Sequence, residues 1–332
     1  MTERKDFFLY ENDNISNNAK LSTKSKRRMS KSKSDNTLKS YAADWKDFAY
    51  WCEVHQVSSL PCSSETIVNY INDLADHAKA NTVARRITAI SENHIAAGYK
   101  DDNPAKSGMV MNAMRAIRRE KGTFQHGKSP ILMETVSLLA DLFDAGDLVS
   151  IRDKALLFLG FAGAFRRSEL VAIDMDDITF SPQGMVIFIP QSKGDQLGHG
   201  SNIAIPYAPD PHICAVTAVK DWIHAAGITS GPLFRGFKRN LEPRDTQLTD
   251  KAVALVVKKY MAMLGMNPDD FAGHSLRRGF ATSAAQHDLD ALSIMRQTRH
   301  KSEKMVYRYI EQGNLFKENP LNRMFGTAPR KD

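Results

Sequence analysis

The chain has 332 residues, 42% hydrophobic and 25% charged, a composition that suits a soluble protein with room for two cored domains. Three cysteines without CxxC spacing (Cys52, Cys62 and Cys214) exclude a disulfide framework and a thiolate zinc site. The polar start and the lack of any run of ~18 apolar residues exclude export and membrane spanning, so a cytoplasmic protein is expected. The net charge of +7 equals the seven basic residues of 20–33 (Lys20, Lys24, Lys26, Arg27, Arg28, Lys31 and Lys33), which include no acid. A polyanionic partner is favoured, and any basic surface elsewhere must come from local segregation of charge.

Residues 1–33 are polar and basic and predict a mobile tail, either a solubilising extension or a nucleic-acid arm. Over 34–120 the pattern is helical. Asp35-Asn36 makes a good cap, and Leu38, Tyr41, Trp45, Phe48 and Cys52 follow at helical spacing. Ser63 or Ser64 caps a second helix with Ile67, Ile71 and Leu74 inward. Asn81 precedes a third, with Val83, Ile87 and Ile90 inward, and Pro104 precedes a fourth carrying Val110, Met114 and Ile117. On the fourth helix Arg115, Arg118 and Arg119 form an outward basic stripe, continued by Lys121 and joined by Arg85 and Arg86 from the third. Such a stripe is either a solvated face or a phosphate contact. With acids sitting elsewhere in the sequence, phosphate contact is the better reading.

Residues 121–130 (KGTFQHGKSP) lack apolar periodicity and read as a linker. Beyond it the pattern predicts helices over about 132–145 and 151–161, then the unusual pair Arg166-Arg167 followed by Ser168-Glu169-Leu170. That pair either opens a surface helix, or one arginine turns inward with Glu169 orienting it. Three short strands follow, over 178–180, 185–189 and 203–207, the last two joined by a glycine-rich hairpin tip that carries Lys193. Its glycines do not make a dinucleotide fingerprint, because the spacing is wrong and no helix follows. Asp174-Met175-Asp176-Asp177 is better read as a turn than as a metal cluster. Helices return over 213–226 and 250–264, each stopped by a glycine (Gly227, Gly265). A short amphipathic tail with Leu315, Phe316, Leu321, Met324 and Phe325 closes the chain, to pack at home or on a neighbouring subunit.

The stretch 274–309 is the most informative. It holds His274-Ser275-Leu276-Arg277-Arg278, then Arg299-His300-Lys301, then Tyr307-Arg308-Tyr309, with almost no carboxylate. Guanidinium forks to hold an oxyanion, imidazoles to hydrogen-bond it and a phenol to attack it suit a phosphodiester.

Taken in order, Arg166-Arg167-Ser168-Glu169-Leu170, Lys193, His274-Ser275-Leu276-Arg277, His300 and Tyr309 nine residues later resemble the tyrosine recombinase (phage integrase) family over about residues 35–325. The resemblance implies that Arg166 and Arg277 hold the non-bridging oxygens of a scissile phosphate, with Glu169 supporting them. His274 and His300 would donate hydrogen bonds or handle protons, and Lys193 would protonate the leaving 5′ oxygen. The family spacing selects Tyr309 over Tyr307 as nucleophile, leaving Tyr307 a packing role. Its phenol, with an ordinary pKa of about 10, is helped to ionise by neighbouring cations. Attack gives a 3′-phosphotyrosine link and a free 5′-hydroxyl, reversible without ATP. No metal or other cofactor is expected, since the cations of the side chains fill that role. One departure stands out: the family often has Leu-Gly before the second histidine, where this chain has Thr298-Arg299.

The implied fold is mainly α with a small antiparallel β-sheet. A helical core-binding domain (34–120) and a mixed α+β catalytic domain (131–312) would form a C-shaped clamp on double-stranded DNA, and a tail (313–332) would serve subunit exchange in a tetramer. With no room for a folded arm-binding domain before residue 35, a Cre-like or Xer-like arrangement is expected over the lambda-integrase kind. Two other functions compete: DNA relaxation of the type IB topoisomerase kind, and non-catalytic DNA binding on the same scaffold.

Overall fold

Among the described residues the first helix begins at Ser34: its hydroxyl accepts from the Thr37 amide and caps α1 (Asp35–Val54), one residue earlier than the expected Asp35-Asn36 cap. The computed structural model describes residues 33–124, 127–190, 200–314, 317 and 320–324, and the chain divides into two units, Met1–His126 and Gly127–Asp332.

In the first unit, Ser63 and Ser107 cap α2 (Ser64–His77) and α4 (Gly108–Lys121) in the same way. Between them α3 (Ala80–Ala96) starts at Lys79 with no side-chain cap, so Asn81 lies inside its first turn rather than before it. The apolar positions recur every three or four residues and meet in one core, where Phe48, Ile67, Ile71, Val83, Ile90 and Val110 are at most 1% exposed. Full burial of each such side chain contributes about 1.5–3 kcal/mol.

The second unit begins with α5 (Met133–Leu139) and a single 3₁₀ turn, Ala140–Leu142. The expected helix to residue 145 is cut short because the polar groups beyond serve the next one. Asp147 accepts from the Val149 and Ser150 amides, and the Ser150 hydroxyl accepts from the Asp144 amide. The helix so capped, α6 (Leu148–Ala162), is apolar nearly all round and runs through the core, as a fully buried helix must.

After α7 (Arg167–Ala172) come β1 (Ile178–Ser181), β2 (Gly184–Ile189) and β3 (Ser201–Pro206), an antiparallel sheet in that order with Ile187 opposite both Ile178 and Ile203. Strand alternation sends Met185, Ile187, Ile189, Ile203 and Ile205 to the core. The carboxylates before β1 work as turn caps: Asp174 accepts from the Asp176 amide, and Asp177 from the Asp174 amide. Next, α8 (Ala215–Ala225) places Trp222 out of solvent, its indole N–H on the Leu233 carbonyl. A second hairpin, β4 (Arg235–Phe237) and β5 (Pro243–Gln247), was not expected from the sequence. Then come α9 (Asp250–Met263), α10 (His274–Gln286), α11 (Ala291–Thr298) and α12 (Glu303–Gly313). The last three share a small cluster of Ala281, Ala284, Ala285, Ile294 and Val306, against which Tyr309 and Ile310 pack.

The chain is therefore mainly α with small antiparallel sheets, as expected. Of the closing amphipathic segment, α13 (Pro320–Met324) leaves Leu321 and Met324 exposed, while Leu315, Phe316 and Phe325 lie outside the described residues. Among the described residues no helix is long and apolar enough to cross a membrane.

Candidate active site

The site is organised by the C-terminal end of α6. A helix ends with carbonyls that have no partner within it, and these carry the negative pole of its dipole. Here the chain turns through Gly163 and Ala164, with Ala164 at φ 44°, in the left-handed region. The Phe165 ring folds back over Gly163, in the space any β-carbon there would need. Two arginines and a glutamine amide from two distant segments meet these carbonyls. The Ala164 carbonyl accepts from Arg277 Nη1 (2.7 Å) and Arg299 Nη2 (3.1 Å), the Gly163 carbonyl from Arg299 Nη1 (3.1 Å), and the Ala162 carbonyl from Gln297 (2.8 Å).

Arg166 follows this turn and stands at the cap of α7. Glu169, buried three residues on, accepts the Arg166 amide on Oε2 (3.0 Å) and the Arg166 guanidinium on Oε1. Of the two readings of the arginine pair, the inward one is correct for Arg166. Arg167 is instead half-buried, 3.7 Å from Asp250. Burial pushes the Glu169 carboxyl up, but Arg299, the Arg166 amide and the Arg166 guanidinium outweigh it and hold Glu169 below the usual carboxylate value.

His274 and Arg277 lie one turn apart at the start of α10. Arg277 is 1% exposed, and its Nε and Nη2 have no hydrogen-bond partner among the described residues. Burial, then Arg166 and Arg299, pull its pKa down to about 9, while Glu169 and Tyr309 oppose the shift, so it stays charged at neutral pH. A buried guanidinium with unspent donors is costly unless an anion meets it. His274 keeps an exposed side chain, yet lost hydration and then Arg277, Arg166, Arg167 and Arg278 hold it below the usual imidazole value.

His300 is buried just after α11. Desolvation, followed by Arg277, Arg166, His274 and Arg299, lowers its pKa to about 4, so the ring is neutral at pH 7. It stacks on Tyr309 with ring centroids 5.8 Å apart and planes 28° apart. Tyr307, two positions earlier on α12, faces away from the cluster and is 50% exposed, so the expected packing role is not what it has. Arg299 takes the left-handed conformation (φ 56°, ψ 40°) that glycine would occupy, so the turn survives the replacement of Leu-Gly. Its guanidinium is buried between Glu169 (2.9 Å) and the α6 carbonyls, over the Phe165 ring. The sequence signalled an added charge here, but not that it would turn inward and share Glu169 with Arg166.

The structure thus brings together Arg166, Glu169, His274, Arg277, His300 and Tyr309. Lys193 lies outside the described residues, between β2 and β3. In the first unit Arg115, Arg118, Arg119 and Lys121 are exposed along α4, with Arg115 also donating to Asn112. Arg86 does not extend that stripe outward, whereas Arg85 is exposed but paired. Acids on α1 face them: Arg85 pairs with buried Asp44 (2.7 Å), and Arg86, 17% exposed, is held by Asp44, Asp47 and the Tyr70 hydroxyl.

Residues 133–314 match the pattern of the phage integrase family. The chain is 68% identical over 326 residues to the integrase/recombinase xerD homolog of Selenomonas ruminantium, covering 98% of this chain and 96% of that protein. It is 24% identical to the tyrosine recombinase XerD of Rickettsia conorii, covering 87% and 94%. Among solved structures, the XerH recombinase bound to a palindromic difH substrate after cleavage has a similar fold (TM-score 0.67, 14% identity, 92% of this chain and 83% of that one). So does a lambda integrase dimer bound to a COC′ core site (TM-score 0.55, 16% identity, 86% and 74%). With that coverage and that identity behind it, the chain belongs to the phage integrase family of tyrosine recombinases.

Proposed function

We propose that the protein cuts and rejoins double-stranded DNA at specific sites, with Tyr309 as the nucleophile. The observation that carries this is Arg277, a buried guanidinium with two unspent N–H groups, set among Arg166, His300 and Tyr309. A phosphodiester entering this site meets the two guanidiniums on its non-bridging oxygens, where charge grows in the transition state. The Tyr309 phenol gives up its proton to a histidine and attacks phosphorus. The bond to the 5′ oxygen breaks, and that oxygen takes a proton from Lys193. The tyrosyl phosphodiester keeps the bond energy, so a 5′-hydroxyl from another strand reverses the step. The exposed arginines of α4 contact flanking phosphates, the first unit serves as the core-binding domain, and the segment after α12 links protomers of a tetramer on paired half-sites. An action on double-stranded DNA supports a cytoplasmic location, on the nucleoid when bound.

The test is to incubate the protein with duplex DNA from the flanks of its own gene, quench with detergent and map the covalent adduct. An adduct is expected for the wild type and for Tyr307→Phe, and none for Tyr309→Phe, which should still bind DNA. An adduct that survives Tyr309→Phe overturns the assignment. Supercoil relaxation without strand exchange points instead to a topoisomerase, and DNA binding with no adduct from the wild type to a binding protein.

A further inference from the structure

Thr298 stands where the family pattern often has an apolar residue, two positions before the second histidine, and it is fully buried at the end of α11. Its hydroxyl has two partners. It donates to the Ile294 carbonyl one turn back (2.6 Å), and it lies 2.8 Å from His300 Nδ1. A hydroxyl has one proton and two lone pairs. With the proton committed to Ile294, only a lone pair is left for Nδ1, so Nδ1 must carry the hydrogen. The reverse arrangement would turn the hydroxyl toward Nδ1 and set oxygen lone pairs of Thr298 and Ile294 face to face at 2.6 Å, at a fully buried side chain.

We propose that Thr298 is a positioning residue that fixes His300 as the Nδ1–H tautomer, leaving Nε2 as a lone pair for the reacting centre. This rests on the reading of Tyr309 as the attacking group and sharpens the part His300 plays in it. A neutral ring with a bare Nε2 accepts a proton from that nitrogen's side and does not donate a hydrogen bond to phosphate from it. Because His300 is neutral at pH 7, its single proton makes the choice of tautomer decisive. On taking up the phenolic proton at Nε2, the ring becomes an imidazolium whose Nδ1–H stays on Thr298. Arg166, Arg277, Arg299 and His274 face the ring and oppose that charge, and a phosphodiester entering among them offsets their effect. In water a neutral histidine prefers the Nε2–H form, so the arrangement depends on the hydroxyl.

The tautomer is read on the DNA-free protein by two-bond ¹H–¹⁵N correlation of labelled histidines near pH 7, with His300→Gln identifying the resonance among the ten histidines. The wild type and Thr298→Ser should show a protonated Nδ1 and a bare Nε2. Thr298→Val, which keeps the shape and loses the hydroxyl, should move His300 to the Nε2–H form. A wild-type His300 already in the Nε2–H form, or a Val variant with the tautomer unchanged, overturns the proposal. On the duplex mapped above, adduct formation by Thr298→Val should slow about tenfold or more with DNA affinity unchanged, while Thr298→Ser keeps the wild-type rate. Equal rates for the Val and Ser variants also overturn it. Absence of any wild-type adduct is a failure of the recombinase reading alone, because the tautomer is measured without DNA.

Discussion

Arg299 Nη2 lies 2.9 Å from Oε2 of Glu169, the carboxylate whose other oxygen holds the Arg166 guanidinium. One buried acid therefore sets the position of two guanidiniums, and the backbone strain at Arg299 is held in place by that pairing. Arg299→Ala and Arg299→Gly should both lower stability by about 2–4 kcal/mol, because a buried ion pair loses one partner. Glycine should be the milder change by about 1 kcal/mol, since only it adopts the left-handed region without penalty. Urea unfolding of the three proteins measures both differences, and equal stability of the two variants would count against the strain argument.

Acid should weaken the second unit through two groups acting with the same sign. The folded pKa of Glu169 lies below its unfolded value, so its contribution is complete above the unfolded value and is lost as pH falls through the folded one. His300 has a folded value of about 4 against 6.5 for the free side chain. The unfolded chain thus takes up that proton first, and stability falls as pH drops from about 6.5 toward 4, by on the order of 3 kcal/mol. Urea midpoints across this range should decline steadily for the wild type, and His300→Gln should flatten the upper part of the curve.

The α4 stripe and Arg86 should separate cleanly in experiment. Removing Arg115, Arg118 or Arg119 one at a time should leave unfolding unchanged. Each removal should also make DNA binding less sensitive to salt, by about one unit of slope for the phosphate that the arginine had neutralised. Arg86→Ala should instead destabilise the first unit, because Asp44, 3% exposed, loses a counter-charge and Asp47 and Tyr70 lose a partner. Binding titrations at several salt concentrations, alongside thermal unfolding, distinguish the two outcomes.

Much of this was legible in the sequence, for identifiable reasons. Apolar residues at helical spacing, such as Ile67, Ile71 and Leu74, mark one face of a helix whatever it packs on. Gly227 and Gly265 mark helix ends because each takes a positive φ there. The β4–β5 hairpin carried no such signal, since Pro243–Gln247 is polar and almost wholly exposed. The pairing of Arg85 and the inward turn of Arg86 do not read from local pattern because their acids, Asp44 and Asp47, sit about forty residues upstream on another helix. The spacing of Arg166, Arg277, His300 and Tyr309 pointed to one site. The convergence of Arg277 and Arg299 on the carbonyls of a single turn depends on tertiary packing that no local pattern records.

That convergence has a consequence for synthesis. A nascent chain that has emerged only as far as α9 already holds Arg166 and Glu169, yet it lacks Arg277, Arg299, His300 and the tyrosine. The carbonyls at the end of α6 wait for groups made more than a hundred residues later. On the function proposed above, a chain cut off before α10 has no assembled centre with which to cut DNA, because Arg277, Arg299, His300 and Tyr309 come only with α10, α11 and α12.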